Sequence, residues 1–218
     1  TAIKSINPKI KVIGVQSKRF PSLYRAMSDE DYVPQGSTLA EGIAVKNIGE
    51  KTLDICKKYV DDVLLVSEEE IEKALGLLIT IEKTVCEGAG ACPLAAVISY
   101  PEFFKGKKVV LIVSGGNIDT RLLASILMRS LVRDGRITKL KIELPDIPGA
   151  LSNISSIIGN KGGNIIDVSH HRLFTELPAK ETYSNITLET RDSQHFEDIL
   201  AELRTEGFVV RVNPNIDM

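Results

Sequence analysis

The stretch KVVLIVSGGNID, residues 108–119, indicates the fold class of this 218-residue chain. Its first half is a short apolar run typical of a strand that is buried on both faces, and we predict a β-strand over residues 109–113. Ser114 and the glycines behind it end that run, and Asp119 is a candidate N-cap for the helical pattern that follows. A buried strand, a glycine turn and a helix are the units of an open α/β sheet, in which ligands bind at the carboxyl ends of strands.

The residues before this stretch repeat the alternation of strand and helix. A Ser67–Glu70 capping box predicts the start of one helix, and a run of small residues predicts another that packs closely against its neighbours. Apolar runs separated by helices favour a parallel sheet covered on both faces. Three strands alone leave apolar edges without partners, so other chain segments or another copy must complete the layer. The predicted strands lie at 11–15, 63–66 and 109–113, and the predicted helices at 50–60, 67–79, 88–100 and 120–131.

The last part of the chain has a different pattern, and we place the domain boundary between residues 134 and 135. KLKIEL (139–144) alternates polar and apolar residues, as a half-solvated strand does. Two amphipathic helices and three more strands complete the order βαββαβ, the ferredoxin-like arrangement. We expect Ile147, with Pro148 in the first turn, to belong to the first of these helices. The sequence therefore predicts residues 1–134 and 135–218 as two domains.

Composition excludes several classes of protein. The 27 basic and 29 acidic residues are interspersed and give a net charge of −2, so a nucleic-acid partner is not expected. The apolar runs are too short to cross a bilayer, and we see no signal peptide. Three cysteines, Cys56, Cys86 and Cys92, lack disulfide or zinc spacing, which favours a reducing cytoplasm.

The SGGN loop has two interpretations when the residues are considered alone. Glycines let a ligand approach the backbone, and the Ser114 hydroxyl can donate or accept a hydrogen bond. The alternative is a tight turn that only joins strand to helix. Neither a Walker loop nor a dinucleotide fingerprint is present, because the Gly-Lys-Ser/Thr sequence and the third glycine are missing.

Three motifs in a fixed order resemble the later part of the catalytic domain of threonine dehydratases (threonine ammonia-lyases). These are fold-type II pyridoxal-phosphate enzymes, related to serine racemase. The sequence KIELPDIPGALSNISSIIGNKGGNI (141–165) resembles the start of an ACT regulatory domain. The resemblance covers nearly the whole chain. The three motifs are STLAEGIAVKNIGEKTLDICKKYVDDVLLVSEEEI (37–71), VCEGAGACPLAAVI (85–98) and VVLIVSGGNID (109–119).

The resemblance implies a cofactor, pyridoxal 5'-phosphate, and a set of residues around it. Ser114 matches the serine that hydrogen-bonds the pyridine nitrogen in that family, beside Gly115. Glu87 matches a position that lines the pocket, and Gly42 matches backbone beside the ring. For Glu87 the alternative is a carboxylate that only favours the helix dipole. The implied reaction is deamination of L-threonine, or of L-serine, to a 2-oxo acid and ammonia.

Some features of the family are missing. No Ser-Phe-Lys-type motif supplies the Schiff-base lysine, and the phosphate-binding glycines would precede Thr1. We therefore expect the C-terminal portion of a longer enzyme, and we expect these residues alone to be inactive. Gln16 and Ser22 occupy the positions at which some serine racemases carry metal-binding carboxylates, so no metal site is predicted there.

The ACT resemblance implies a small-molecule effector and pairing of two copies. PDIPGAL exposes backbone N–H groups at a helix N-terminus, and the candidate effector residues are Asp146, Gly149, Ala150 and Asn164. The alternative is that Asp146 only caps the helix. A biosynthetic role in isoleucine formation favours isoleucine or valine as effector, whereas a catabolic role favours a nucleotide. A stand-alone ACT protein without catalysis is the competing function.

Overall fold

The computed structural model describes residues 1–28, 33–171 and 177–212. The chain divides into two compact units, Thr1–Leu127 and Met128–Met218. This division falls inside one helix, Thr120–Arg133. The boundary that we predicted between residues 134 and 135 stays a prediction.

Helices dominate the first unit. Strands β1 (Ile13–Ser17) and β2 (Asp62–Val66) pair in parallel, so the predicted α/β class is confirmed. Thr120–Arg133 begins where Asp119 accepts a hydrogen bond from the Leu122 N–H at 2.8 Å, so the predicted N-cap is confirmed. The elements are α1 Ala2–Ile6, β1 Ile13–Ser17, α2 Ser22–Met27, a 3₁₀ turn Glu41–Ile43, α3 Glu50–Tyr59, β2 Asp62–Val66, α4 Glu68–Thr80, α5 Gly88–Ser99, α6 Pro101–Phe104 and α7 Thr120–Arg133.

Residues 109–113 were predicted as a strand, and that prediction is wrong: they belong to no strand. A β-strand satisfies its backbone only by pairing, and the two-stranded sheet of this unit contains β1 and β2 alone among the described residues. The side chain of Val110 is 89% exposed, although valine prefers burial. An apolar groove of about 530 Å³, lined by residues of β1, α5 and this segment, lies where a neighbouring strand would be needed.

The core of the first unit lies between α4 and α5. Ile71, Leu75 and Leu78 on α4 are buried, as the helical spacing predicts. The capping box is confirmed: the Ser67 hydroxyl accepts from the Glu70 N–H, and the Glu70 carboxylate accepts from the Ser67 N–H at 2.6 Å. Burial opposes ionisation of Glu70, but its hydrogen bonds with Ser67 prevail, and the pKa of this carboxyl is lowered.

The second unit has the predicted order βαββαβ. Its sheet is antiparallel with strand order β4-β5-β3-β6, and α8 and α9 supply the helices that pack on its buried face. Leu140, Ile142 and Leu144 point into that core, which confirms the alternation predicted for the first strand. The elements are β3 Ile137–Pro145, α8 Ala150–Asn160, β4 Asn164–His171, β5 Glu181–Glu189, α9 Ser193–Thr205 and β6 Val209–Val212.

Helix α8 begins later than the sequence predicted. Gly149 is its N-cap with φ of +86°, a left-handed conformation that favours glycine. Ile147, expected inside the helix, therefore precedes it and is 60% exposed. The spacing of Leu151, Ile154 and Ile158 predicts one apolar face of this helix, and all three residues pack on the core.

The histidine pair on β4 belongs to two separate networks. His170 Nδ1 lies 2.8 Å from the Ser184 hydroxyl, whereas His171 Nε2 lies 3.2 Å from both Ser169 Oγ and Asn185 Nδ2. Successive strand residues face opposite sides of a sheet, which explains the separation. Because neighbouring positions on a strand do not easily share one metal ion, we interpret both histidines as ordinary strand residues.

Candidate cofactor and effector sites

Three segments of the first unit meet at the N-terminus of α5. The Glu87 side chain lies between two glycines: a Cβ added to Gly42 would be 3.5 Å from Glu87 Oε1, and one added to Gly115 would be 2.6 Å from the same atom. The Glu87 N–H also donates to the Gly115 carbonyl at 3.2 Å. The structure therefore brings together Gly42, Glu87 and Gly115, which lie far apart in the sequence and which we selected as cofactor contacts.

Two further glycines make this approach possible. A Cβ on Gly88 would overlap the carbonyl oxygen of Leu39, and a Cβ on Gly90 would overlap the carbonyl oxygen of Ser114. Both glycines lie in the first turn of α5. The bare helix backbone thus lets residues 39–42 and 114–115 pack directly against it, as the run of small residues predicted.

Ser114 lies at the surface of this cluster. Its carbonyl packs against Gly90, and the residue as a whole is exposed. It is not enclosed by a complete sheet, because the segment before it has no strand partner among the described residues. Ser114 is therefore accessible to a ligand, as its predicted hydrogen bond with a pyridine-containing cofactor requires.

Glu87 occupies the N-cap position of α5 without capping the helix through its side chain. Its negative charge is favourable there because the helix N-terminus carries a partial positive charge. The geometry therefore remains compatible with the alternative that Glu87 only stabilises the helix dipole. The contacts with Gly42 and Gly115 add a second property, which is that the carboxylate forms part of the cluster surface.

The cysteines near this cluster are free thiols in the interior. Cys86 and Cys92 are buried, which agrees with their interpretation as small apolar residues. Burial raises the pKa of the Cys92 thiol to about 12, so it stays protonated near neutral pH. These thiols are poor nucleophiles, and we assign them no chemistry.

The position compared with the racemase metal site contains a polar network. The Gln16 Oε1 accepts from the N–H groups of Leu23 and Tyr24 at 2.9 and 3.0 Å, and its Nε2 donates to the Ser22 hydroxyl. Gln16 thus caps the start of α2 with its amide. Within residues 1–28, 33–171 and 177–212, no group of three or more His, Cys, Asp or Glu side chains is arranged to hold a metal ion.

The candidate effector residues lie at both ends of α8. Asp146, Gly149 and Ala150 surround its N-terminus, whereas Asn164 begins β4 beyond its C-terminus and donates to Glu189 at 3.2 Å. The helix has 11 residues, and at about 1.5 Å per residue its ends are roughly 16 Å apart. One copy therefore does not bring all four residues around one small molecule.

Sequence reasoning missed a group of polar residues next to the cluster. Glu68, Thr38 and Ser17 form a hydrogen-bonded group behind residues 39–42. Glu68 stands in a run of three glutamates in the first turn of α4, so sequence offers no signal to single it out. Only the fold shows that its carboxylate faces inward.

The parallel strand pair and the glycine-lined N-terminus of α5 define an α/β protein with a candidate ligand site. The chain belongs to the family of pyridoxal-phosphate dependent enzymes, whose family model matches residues 1–115. A second family model, the ACT domain, matches residues 134–213. ACT domains bind small-molecule amino-acid effectors. The expected family is confirmed, and so is its cofactor, pyridoxal phosphate.

Relatives of known identity match both units. An L-threonine ammonia-lyase of Thermotoga maritima is 41% identical over 213 residues, which are 97% of this chain and 53% of that protein. An L-threonine ammonia-lyase of Geobacter sulfurreducens is 39% identical, again with 97% and 53% covered. The chain thus spans about half the length of these relatives.

The structural comparison agrees with the sequence comparison. Threonine deaminase isoform 2 from Solanum lycopersicum superposes with a TM-score of 0.53 and 29% identity over 60% of this chain and 37% of that one. The serine racemase of maize gives a TM-score of 0.51 and 29% identity over 61% of this chain and 42% of that one. No described helix has the length and hydropathy that a membrane span requires.

Proposed function

We propose that these residues form part of a pyridoxal-phosphate dependent lyase that deaminates L-threonine to 2-oxobutanoate and ammonia, under control of an ACT domain. The observation that carries this proposal is the convergence of Gly42, Glu87 and Gly115 at the N-terminus of α5, with Ser114 exposed beside them. Relatives named L-threonine ammonia-lyase support the choice of substrate.

The residues of this chain would orient the cofactor and tune it. Pyridoxal phosphate supplies the electron sink that weakens bonds at the α-carbon of a bound amino acid. The Ser114 hydroxyl is neutral, so it holds the ring nitrogen by a hydrogen bond without requiring a proton there. A weaker electron sink favours β-elimination over transamination. Gly42 leaves space for the ring edge, and Glu87 borders it.

The groove beside β1 supports a further part of the proposal. Its apolar lining includes Ile13 and Val15 of β1, a strand that has one partner among the described residues, and the relatives are about twice as long as this chain. We propose that the remaining half of the enzyme inserts a strand there and supplies the lysine that binds the cofactor. That strand would also give residues 109–113 the partner that a β-strand requires.

A paired experiment tests the activity. We expect the enzyme made of both halves to form 2-oxobutanoate from L-threonine, and Ser114→Ala to lower kcat about tenfold, the effect of losing one hydrogen bond to a charged or reacting group. Ser125→Ala is the matched control, because the hydroxyl of that serine donates to the Arg121 carbonyl of its own helix, α7.

Two results would contradict the proposal. One is wild-type enzyme that binds pyridoxal phosphate without producing ammonia from threonine or serine. The other is a pyridoxyl group that borohydride traps on one lysine of the 218-residue chain alone. That result would show that a lysine from the other half is not needed to bind the cofactor. A native mass equal to that of this chain would favour the competing function, a stand-alone ACT protein.

Threonine and serine differ by one methyl group, and the residues that bind the substrate carboxylate are expected in the other half. Parallel kcat/KM measurements on the two substrates therefore decide the preference.

We also propose a reducing cytoplasm as the location, since all three cysteines are free thiols.

We propose that two ACT units pair through the free edge of β4. Asn164 lies in the same row of the sheet as Ile137, the first residue of β3. His171 lies in the row of Glu143, near the end of β3 that leads to Gly149. Antiparallel pairing of two β4 edges would place Asn164 of one copy at the Gly149 end of the other. An effector between the copies would then contact all the candidate residues.

Blocking this edge is expected to remove effector binding. Val168 on β4 is 37% exposed, and Val168→Lys places a charge on the proposed interface. We expect calorimetric titration with isoleucine, valine and a nucleoside monophosphate to show the affinity of the bound effector falling about tenfold or more, together with loss of pairing in native mass. Val209→Lys, on the opposite edge strand β6, is the control. Equal effects of the two variants would rule out pairing through β4.

A further inference from the structure

Glu68 joins three segments of the first unit through its carboxylate. Oε1 accepts from the Ser17 hydroxyl at the end of β1 and from the Thr38 hydroxyl, both at 2.7 Å. Oε2 accepts from the Leu39 N–H, also at 2.7 Å. Ser17 is 1% and Thr38 7% exposed, so these hydrogen bonds are formed largely away from water. Hydrogen bonds to a carboxylate are stronger than those between neutral groups, so Glu68 fixes its three donors firmly.

The held segment is the one that packs on the cofactor cluster. The Thr38 hydroxyl accepts from the Ala40 N–H at 3.1 Å, so Glu68 fixes residues 38, 39 and 40 in one arrangement. The Leu39 carbonyl then presses on Gly88 where a side chain would otherwise be. Gly42 follows two residues later and lies beside the Glu87 carboxylate. The path from Glu68 to the cluster therefore runs through one short, directly supported backbone segment.

The neighbouring glutamates show that this arrangement is not a general property of the helix start. Glu69 is exposed, and Glu70 completes the capping box with Ser67. All three carboxylates favour the N-terminus of α4 through its dipole. Of the three, Glu68 is the one that binds the end of β1 and the segment 38–39.

We propose that Glu68 is a positioning residue for the pyridoxal-phosphate site: it holds Leu39 and Ala40 so that Gly42 and Glu87 stay in contact. This inference rests on the proposed cofactor site. Glu68 does not touch the cofactor. It acts by keeping the backbone of residues 38–40 against the first turn of α5.

The test uses the enzyme with both halves and measures cofactor affinity by titrating the apoenzyme with pyridoxal phosphate. We expect Glu68→Gln to weaken binding about tenfold, because a neutral amide has one acceptor oxygen and cannot accept from the Leu39 N–H and from both the Ser17 and Thr38 hydroxyls. Glu69→Gln removes the same charge from the same helix turn and is expected to leave the affinity unchanged. Circular dichroism at the titration temperature confirms that each variant is folded.

Two milder variants separate positioning from a purely structural role. Thr38→Val removes the hydrogen bond between Glu68 and the segment that packs on the cluster, and it is expected to weaken cofactor binding. Ser17→Ala removes the hydrogen bond between Glu68 and the end of β1, and it is expected to leave cofactor binding unchanged. If Glu68→Gln fails to fold, this pair decides alone. Equal cofactor affinity in the Thr38 variant and the wild type, or equal losses in the Thr38 and Ser17 variants, would overturn the proposal. Wild-type enzyme that binds no pyridoxal phosphate would instead refute the proposed function.

Hydrogen exchange provides a second readout that does not depend on the cofactor. In the apoenzyme, the Leu39 and Ala40 amides are expected to exchange at least about tenfold faster in Glu68→Gln than in Glu69→Gln. The Leu39 N–H loses its carboxylate acceptor, and the Thr38 hydroxyl, which accepts from the Ala40 N–H, loses the carboxylate that fixes it. Unchanged exchange at these two amides would contradict the proposed mechanism of positioning.

Discussion

Replacing Gly90 by alanine is expected to weaken cofactor binding strongly without unfolding the protein. The new methyl group would overlap the carbonyl oxygen of Ser114 and lie 3.2 Å from its nitrogen. The helix or the loop must move, and overpacking of this kind costs about 1–3 kcal/mol. If that cost falls on the cofactor-bound arrangement, the affinity for pyridoxal phosphate drops by about 5- to 150-fold. Titration of the apoenzyme measures this change.

Gly159→Ala is the matched control for this substitution. Gly159 also lies inside a helix, but nothing lies within 4 Å of the position that its Cβ would take. Alanine favours a helix interior by about 1 kcal/mol over glycine, so the free energy of unfolding should rise slightly. Cofactor affinity should not change. Gly90→Ala with normal affinity would show that the loop and α5 do not need the close approach seen here.

The second large effect is expected in the core of the ACT unit. Ile142 is fully buried on β3, which lies between β5 and β6 in the sheet. Ile142→Ala removes three carbon atoms from a closely packed interior and leaves a cavity. Such substitutions lower the free energy of unfolding by about 2–5 kcal/mol. Urea denaturation measures the loss in the free energy of unfolding. Hydrogen exchange of the β3 and β5 amides shows that the loss falls in this unit.

Val209→Ala provides the comparison in the same sheet. Val209 is 55% exposed on the edge strand β6, in register with Glu143, the residue next to Ile142. Its truncation should cost less than about 1 kcal/mol, since little apolar area leaves the interior. Similar losses for the two variants would mean that the core does not lie on the face of the sheet that we assign to it.

Local patterns were enough to predict most elements of the ACT unit. Alternation predicts that Leu140, Ile142 and Leu144 share one face of β3, and helical spacing predicts that Phe196, Ile199 and Leu203 share one face of α9. All six side chains are buried. Each of these elements finds its partners within the same unit, so local preference and tertiary packing agree. The start of α8 was predicted less well, because the left-handed backbone of Gly149 decides it and glycine alone does not say which conformation it takes.

In the first unit, sequence predicted which residues form the candidate site but not everything that holds them there. The glycines and small residues of α5 indicated a close approach, and the resemblance supplied Ser114, Glu87 and Gly42. It did not supply Glu68, because a carboxylate that binds three donors looks the same in sequence as its exposed neighbour Glu69.

The sequence by itself determined the two kinds of sheet, the order of elements in the ACT unit and the cofactor family, because local periodicity or short motifs indicate each of them. Tertiary structure alone decided the conformation of residues 109–113. Their composition is that of a buried strand, yet a strand forms only when another backbone offers hydrogen bonds, and no described segment pairs with it. The contact between Glu87 and Gly42 was likewise decided by packing, because 44 intervening residues carry no local signal of that approach.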